Sequence, residues 1–176
     1  MAKQTNALIK HRDIVEDHWK VLNLAANDTP QTVKLPVGPL LVPLSVWRAR
    51  KSELIRREWE HHERLGVWLA PEDDPAEIVA DLDDFSVVGV HFPLASDGRG
   101  YSIATLLRTR FGYRGELRAF GNIGRDHLHY LHRVGFDAFV VNQPELAIAS
   151  LDDFSEAYQA AANQPLPLYR RRALGA

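Results

Sequence analysis

The chain has no cysteine in 176 residues. Disulfides, thiolate catalysis and cysteine-ligated zinc or iron–sulfur clusters are therefore excluded within it. Any redox role would have to rest on a bound cofactor or on a partner. Long apolar runs are also missing: none approaches the roughly 20 residues that a membrane span needs. The polar opening MAKQTN lacks the form of a signal peptide, so a cytoplasmic protein with no membrane partner is expected. A large charge of either sign is absent too. The net charge of −2 removes the global positive field on which a nucleic-acid binder relies. The one basic run, Arg170-Arg171-Arg172, is far short of a basic stripe and reads as solvated surface. Neither the Walker loop nor the dinucleotide GxGxxG fingerprint occurs, which leaves the cofactor unassigned.

What is present is ordinary globular material, 45% hydrophobic and 25% charged, in a length that suits one domain. Residues 1–38 read as an N-terminal β hairpin and linker, 39–164 as an α/β domain, and 165–176 as an extended tail. Within the α/β part, short apolar stretches at 40–44, 67–69, 87–92, 116–121 and 138–142 predict strands. Helices are expected at 45–64, 75–82, from Ser102 onward, at 124–134 and at 152–162. Asp74 is the expected cap of the second, with Pro75 in the favoured first position. Trp47, Leu54, Ile55 and Trp59 should form the inner side of the first helix. Gly66, Gly112 and Gly135 stand where helices should stop. The fold class is therefore α/β, a mainly parallel sheet built from about five βα units with an N-terminal β extension. The pattern leaves open whether the sheet is doubly wound or a partial TIM-like barrel.

In such sheets ligands lie outside the carboxyl ends of the strands. The loop there after 87–92 carries Asp97, Gly98, Arg99, Gly100, Tyr101 and Ser102. Glycines bare the backbone N–H groups, a helix start is electropositive, and the arginine fork suits an oxyanion. A tight Asp-Gly turn with a serine cap is the structural alternative. The loop after 116–121 repeats the theme with two glycines and Arg125. Alternation places His91, Arg118 and Asn142 on one side of the sheet if the strands run in step. These ten residues form the expected anion site, although Arg118 has Glu116 or an aspartate as a structural alternative partner. His127, His129 and His132 crowd one helix, but no carboxylate completes a ligand set, so no metal site is assigned. No nucleophile–base arrangement stands out, and the catalytic residues stay unassigned.

DGRGYS at 97–102, Arg108 and Arg110, and GYRGELRAFGNIGRDHLHYLHRVGFDAF at 112–139 together resemble the bacterial family numbered 934 among the domains of unknown function. The similarity extends back through LGVWLAPEDDP at 65–75 and 43–64, and to LIKHRDIVEDHW at 8–19. Ala95-Ser96 departs from it, where the family commonly has an aromatic residue before the loop. The resemblance implies a protein encoded beside assimilatory sulfite reductase and labelled a probable oxidoreductase of sulfur metabolism, without a mechanism. It implies as partners sulfite reductase or a related reductase, and a small oxyanion such as sulfite, sulfate or phosphate. A homodimer is also expected. The leading functional expectation is an oxyanion-binding component of sulfite reduction. The alternatives are a non-catalytic module that docks on a reductase and a flavin- or nicotinamide-dependent oxidoreductase.

Overall fold

The computed structural model describes residues 7–94, 96–152 and 157–174. Short, mainly apolar stretches, rich in Leu and Val in the first three, form strands largely buried on both faces, as parallel sheets require. They are β4 (Leu40–Pro43), β5 (Leu65–Leu69), β6 (Val87–Phe92), β7 (Glu116–Gly121) and the short β8 (Ala138–Phe139). Helical connections alternate with them: α1 (Leu44–His61), a 3-10 segment at Pro75–Asp84, α2 (Arg99–Thr105) with a π-helical continuation Leu106–Arg110, and a 3-10 turn Arg125–His127 leading into α3 (Leu128–Arg133). Asp74 caps the second connection, its Oδ1 accepting the Ala76 N–H at 2.9 Å. The N-terminal segment adds β1 (Ala7–Lys10), β2 (Asp13–Glu16) and β3 (Lys20–Val21).

The eight strands form one sheet in the order β2-β1-β8-β7-β6-β5-β4-β3. From β3 to β8 all neighbours are parallel, while β1 pairs antiparallel with both β8 and β2. Strands β3 to β8 follow one another without the reversal of a doubly wound sheet. The layout is a curled half-barrel. Its curvature follows from chain length. The edge strands β2 and β3 are separated by only Asp17, His18 and Trp19, which can span at most about 14 Å. The edges of a flat eight-stranded sheet would lie about 34 Å apart. The sheet must therefore curl until its edges approach, and residues 17–19 form a strap across the gap.

The two faces have different roles. The outer face, with Val42, Val67, Val88, Val90, Leu117, Ala119 and Phe139, forms one apolar core with Trp47, Leu54, Ile78, Leu82, Ile103, Leu107, Leu128 and Leu131 from the connections. The inner face carries residues of opposite parity, which register aligns: Leu41 with Gly66, Gly66 with Val87, Trp68 with Gly89, Gly89 with Arg118. Two of these are glycines for want of room. A Cβ on Gly66 would sit 2.6 Å from the Val87 carbonyl oxygen and 2.7 Å from Leu41 Cδ1. One on Gly89 would meet Leu41, Phe120 and Trp68 at 2.9 to 3.1 Å.

Several local expectations are corrected. Gly66 lies inside β5, and α1 ends instead at His62 in the left-handed conformation. Trp59 is 82% exposed, because the stripe through Trp47 and Leu54 continues to position 58, where burial pushes the Glu58 carboxyl up despite a bond from the Leu65 backbone. Residues 168–173 of the expected extended tail form α5 (Leu168–Ala173). After β8 the chain makes α4 (Pro144–Ala147) and a 3-10 turn Ile148–Asp152. Part of the helix expected at 152–162, residues 153–156, lies outside the described residues, and 157–162 are not helical.

The steric reading of Gly66 is testable by urea unfolding. Gly66→Ala should destabilise the protein by about 1–3 kcal/mol, the usual cost of overpacking. Gly98→Ala, at a position where a Cβ meets nothing within 4 Å, should leave stability unchanged or slightly raised. Equal effects at the two positions would contradict it.

Candidate functional site at the C-terminal mouth of the half-barrel

Where the inner face reaches the carboxyl ends of β5, β6 and β7, three half-buried rings meet. His91 lies 5.7 Å from Trp68 in an edge-to-face arrangement and 5.1 Å from Phe120. Trp68 also meets Phe120 edge-on at 5.9 Å. The register that pairs His91 with Phe120 sets this cluster. Gly121, at φ +109°, leaves room beside it, since a Cβ there would meet His91 Cδ2 at 2.9 Å. Burial among rings pushes the His91 imidazole below its ordinary value, with Glu72 pulling weakly upward. The ring is thus kept neutral, one nitrogen a donor and the other an acceptor. Glu72 and Asp73 border the same mouth with Trp68. Burial raises the Asp73 carboxyl against the hydrogen bond it accepts from the Ala70 N–H at 2.8 Å.

The DGRG loop follows β6 and so lies at the same carboxyl edge of the sheet, where Glu72 acts electrostatically on both His91 and Arg99. Its geometry differs from an open cradle. Arg99 donates from Nε to Asp97 Oδ1 at 3.0 Å and from Nη2 to Oδ2 at 2.6 Å, and its backbone N–H reaches Oδ1 at 3.1 Å. The carboxylate of the motif already occupies the fork, and that hydrogen bond holds Asp97 below the usual carboxylate range. The helix opens at Arg99, three residues earlier than expected, so Ser102 lies inside α2 and makes no cap bond. Gly98 is the N-cap with φ −76°, a value open to any residue. Gly100 is required for packing, since a Cβ there would sit 2.5 Å from the Phe92 ring. Tyr101 packs edge-on against Phe92 at 5.7 Å. Ala95 lies outside the described residues.

The remaining candidates are placed differently. Arg118 shares the His91 face but sits one inner layer below, 2% exposed. It donates to both oxygens of Asp17 at 2.9 and 3.0 Å and to Glu116 Oε1 at 2.6 and 2.8 Å. The structural alternative raised for it is the arrangement present, with strap and sheet both contributing acids. Arg125 opens the 3-10 turn that follows β7 and Asn142 stands in the loop after β8, both exposed, and the Arg125 carbonyl accepts from Ser150 at 2.9 Å. Arg108 is structural: it bonds the carbonyls of Tyr113, Gly115 and Gly135 and the Asp137 carboxylate. Trp68 and Glu72 were not foreseen. Trp68 was legible, because it stands two residues from Gly66 on a strand, while Glu72 depends on the fold of a turn.

The His91 environment has a pH consequence. A histidine depressed by folding contributes stability above its unfolded value of about 6.5, and that contribution is lost as pH falls below it. The His91 ring protons, followed by NMR, should titrate with a midpoint below 6.5, and Glu72→Gln should lower it further. A midpoint at or above 6.5 would contradict the burial argument.

No curated protein matches the chain. Residues 66–169, more than half of it, match the family described as bacterial protein of unknown function (DUF934). The matched span holds the DGRG loop, β6, β7, β8 and the aromatic mouth, whereas β1 to β4, the strap and α1 precede it. The chain belongs to this family of bacterial proteins of unknown function, DUF934.

Proposed function

We propose that the protein binds a small oxyanion of sulfur assimilation at the C-terminal mouth of the half-barrel and serves sulfite reduction as an accessory component. The observation that carries this reading is the Asp97–Arg99 pair. Arg99 is 59% exposed at a ligand-facing sheet edge, with its fork held by a carboxylate two residues away. Asp97 is only 12% exposed, but the Arg99 end of the pair stands in water, which screens and weakens it. An incoming oxyanion can therefore take the place of Asp97, using the same fork and the backbone N–H of Arg99. Neutral His91 supplies a further hydrogen bond from the side of the rings. Glu72 opposes a multiply charged ion. The sulfur context comes from the family resemblance, in which sulfite is the working oxyanion.

A second reading, a module that docks on a reductase, is favoured by Leu94 and Leu146. Both are more than half exposed, and both follow carboxyl ends of strands, where a partner that receives the anion would sit. The two readings agree on the mouth and differ on whether it binds an anion by itself.

Isothermal titration with sulfite, with sulfate and phosphate as comparisons, separates them. The account predicts saturable heat with sulfite, at least a tenfold loss of affinity in Arg99→Gln, and a gain in Glu72→Gln. Equal affinity in the parent and Arg99→Gln would sink the anion site. No heat at all, together with co-purification of a reductase lost on Leu94→Asp, would favour docking.

A further inference from the structure

We propose a second, separate site at the opposite end of the half-barrel, beneath the strap, that takes a small organic anion: one carboxylate, sulfonate or phosphate group on an apolar body. A cavity of about 360 Å3 opens there at the amino ends of β5, β6 and β7. Its size falls within the range of small-molecule sites. Leu8, Val15, Val87 and the Trp19 ring supply apolar wall.

The charges around it do not balance. Glu116 is taken by Lys10 at 2.6 Å and by Arg118, and Asp137 by Arg108. Glu16 faces only the His18 imidazole at 3.8 Å, so its negative charge stays on the lining and offsets one further positive charge. Two exposed arginines on the lining remain, Arg64 and Arg114. Among the described residues neither has a carboxylate at ion-pair distance, and Arg64 lies over the Trp19 ring at 5.6 Å. Cations at the rim of a cavity whose mostly polar lining includes the Trp19 ring and a few aliphatic side chains attract an anion and hold its charged end at the opening.

Strain at the rim points the same way. His11, which lines the cavity, and Arg12 form the β1–β2 turn with φ of 49° and 69°. Asn-Gly meets that conformation at least cost; His-Arg does so only under constraint. The surroundings hold it: the His11 N–H bonds the Asp137 carbonyl at 3.2 Å, and Arg12 pairs with Asp152. Such strain collects at functional positions.

The test uses the full chain and two probes, benzenesulfonate and phenyl phosphate, followed by calorimetry and by NMR shifts of the Trp19 indole N–H. At least one probe should bind saturably and shift Trp19. The double variant Arg64→Gln/Arg114→Gln should weaken that binding at least tenfold while keeping the parent melting temperature, and Arg99→Gln should leave it unchanged. Inorganic sulfate should not shift Trp19, having no apolar body. Failure of both probes to shift Trp19, or binding insensitive to the double variant, would overturn the proposal. Binding abolished by Arg99→Gln would overturn it as well, by assigning the probe to the other end. Because Arg99 and the Arg64/Arg114 pair lie at different ends, this site and the sulfite site fail independently.

Discussion

Everything about this fold turns on a guanidinium placed inside a sheet. Arg118, on the inner face of β7, is 2% exposed and holds Asp17 of the strap with two nitrogen–oxygen contacts while sharing Glu116 with Lys10 of β1. Moving such charges out of water costs several kcal/mol per ion, so the arrangement persists only if every partner is supplied. The partners come from three places in the chain: β1, the strap and β7 itself. Burial would raise the Glu116 carboxyl, yet Arg118 and Lys10 together hold it below its ordinary range. Glu116 therefore contributes stability that is present above about pH 4.5 and is lost as pH falls through its depressed value. The network draws the two edges of the sheet together and keeps residues 17–19 across the opening.

That closure defines the chemistry by dividing the inner face. Above Arg118 lies a ring-lined mouth with a neutral histidine, two carboxylates and the Arg99 loop. Below it lies a cavity rimmed by Arg64 and Arg114. The interior between them is packed by Leu41, Trp19, Trp68 and Phe120 against the Gly66 and Gly89 backbone, so the half-barrel is a filled core with two ends, as in full barrels of this architecture. The two proposed anion sites rest on different features: one on a fork whose resident carboxylate would be exchanged, the other on two arginines, unpaired among the described residues, at the rim of a cavity.

Much of this was legible in sequence where the signal is local. Alternation in VVGVHF and ELRAFG put His91 and Arg118 on one face, and the register confirms the pairing of Gly89 with Arg118. Asp74-Pro75 marked a helix start correctly. The carboxyl-end rule selected the edge where Arg99 and His91 now stand. What escaped is non-local. Nothing in Asp17-His18-Trp19 shows that its flanking strands end on opposite edges of one sheet, so Asp17 could not be named as the partner of Arg118. The occupied fork escaped for the opposite reason: Asp97 was in view, but an Asp-Gly pair reads as a turn, and its bond to Arg99 depends on the helix opening at residue 99. Trp59 reads as inward-facing by its apolarity alone, whereas the stripe position is held by the half-buried Glu58.

A double-mutant cycle on Asp17 and Arg118, measured by urea unfolding with Asp17→Asn, Arg118→Met and the combined variant, addresses the closure directly. Each single change removes a partner from a buried charge: Asp17→Asn leaves Arg118 with Glu116 alone, and Arg118→Met leaves Asp17 without its cation. Each should therefore destabilise by several kcal/mol. The double variant should be little worse than either single one, giving a coupling of about 2 kcal/mol or more. Additive effects within about 0.5 kcal/mol would show that strap and sheet are held independently, and the strapped half-barrel would have to be abandoned as the basis of both sites.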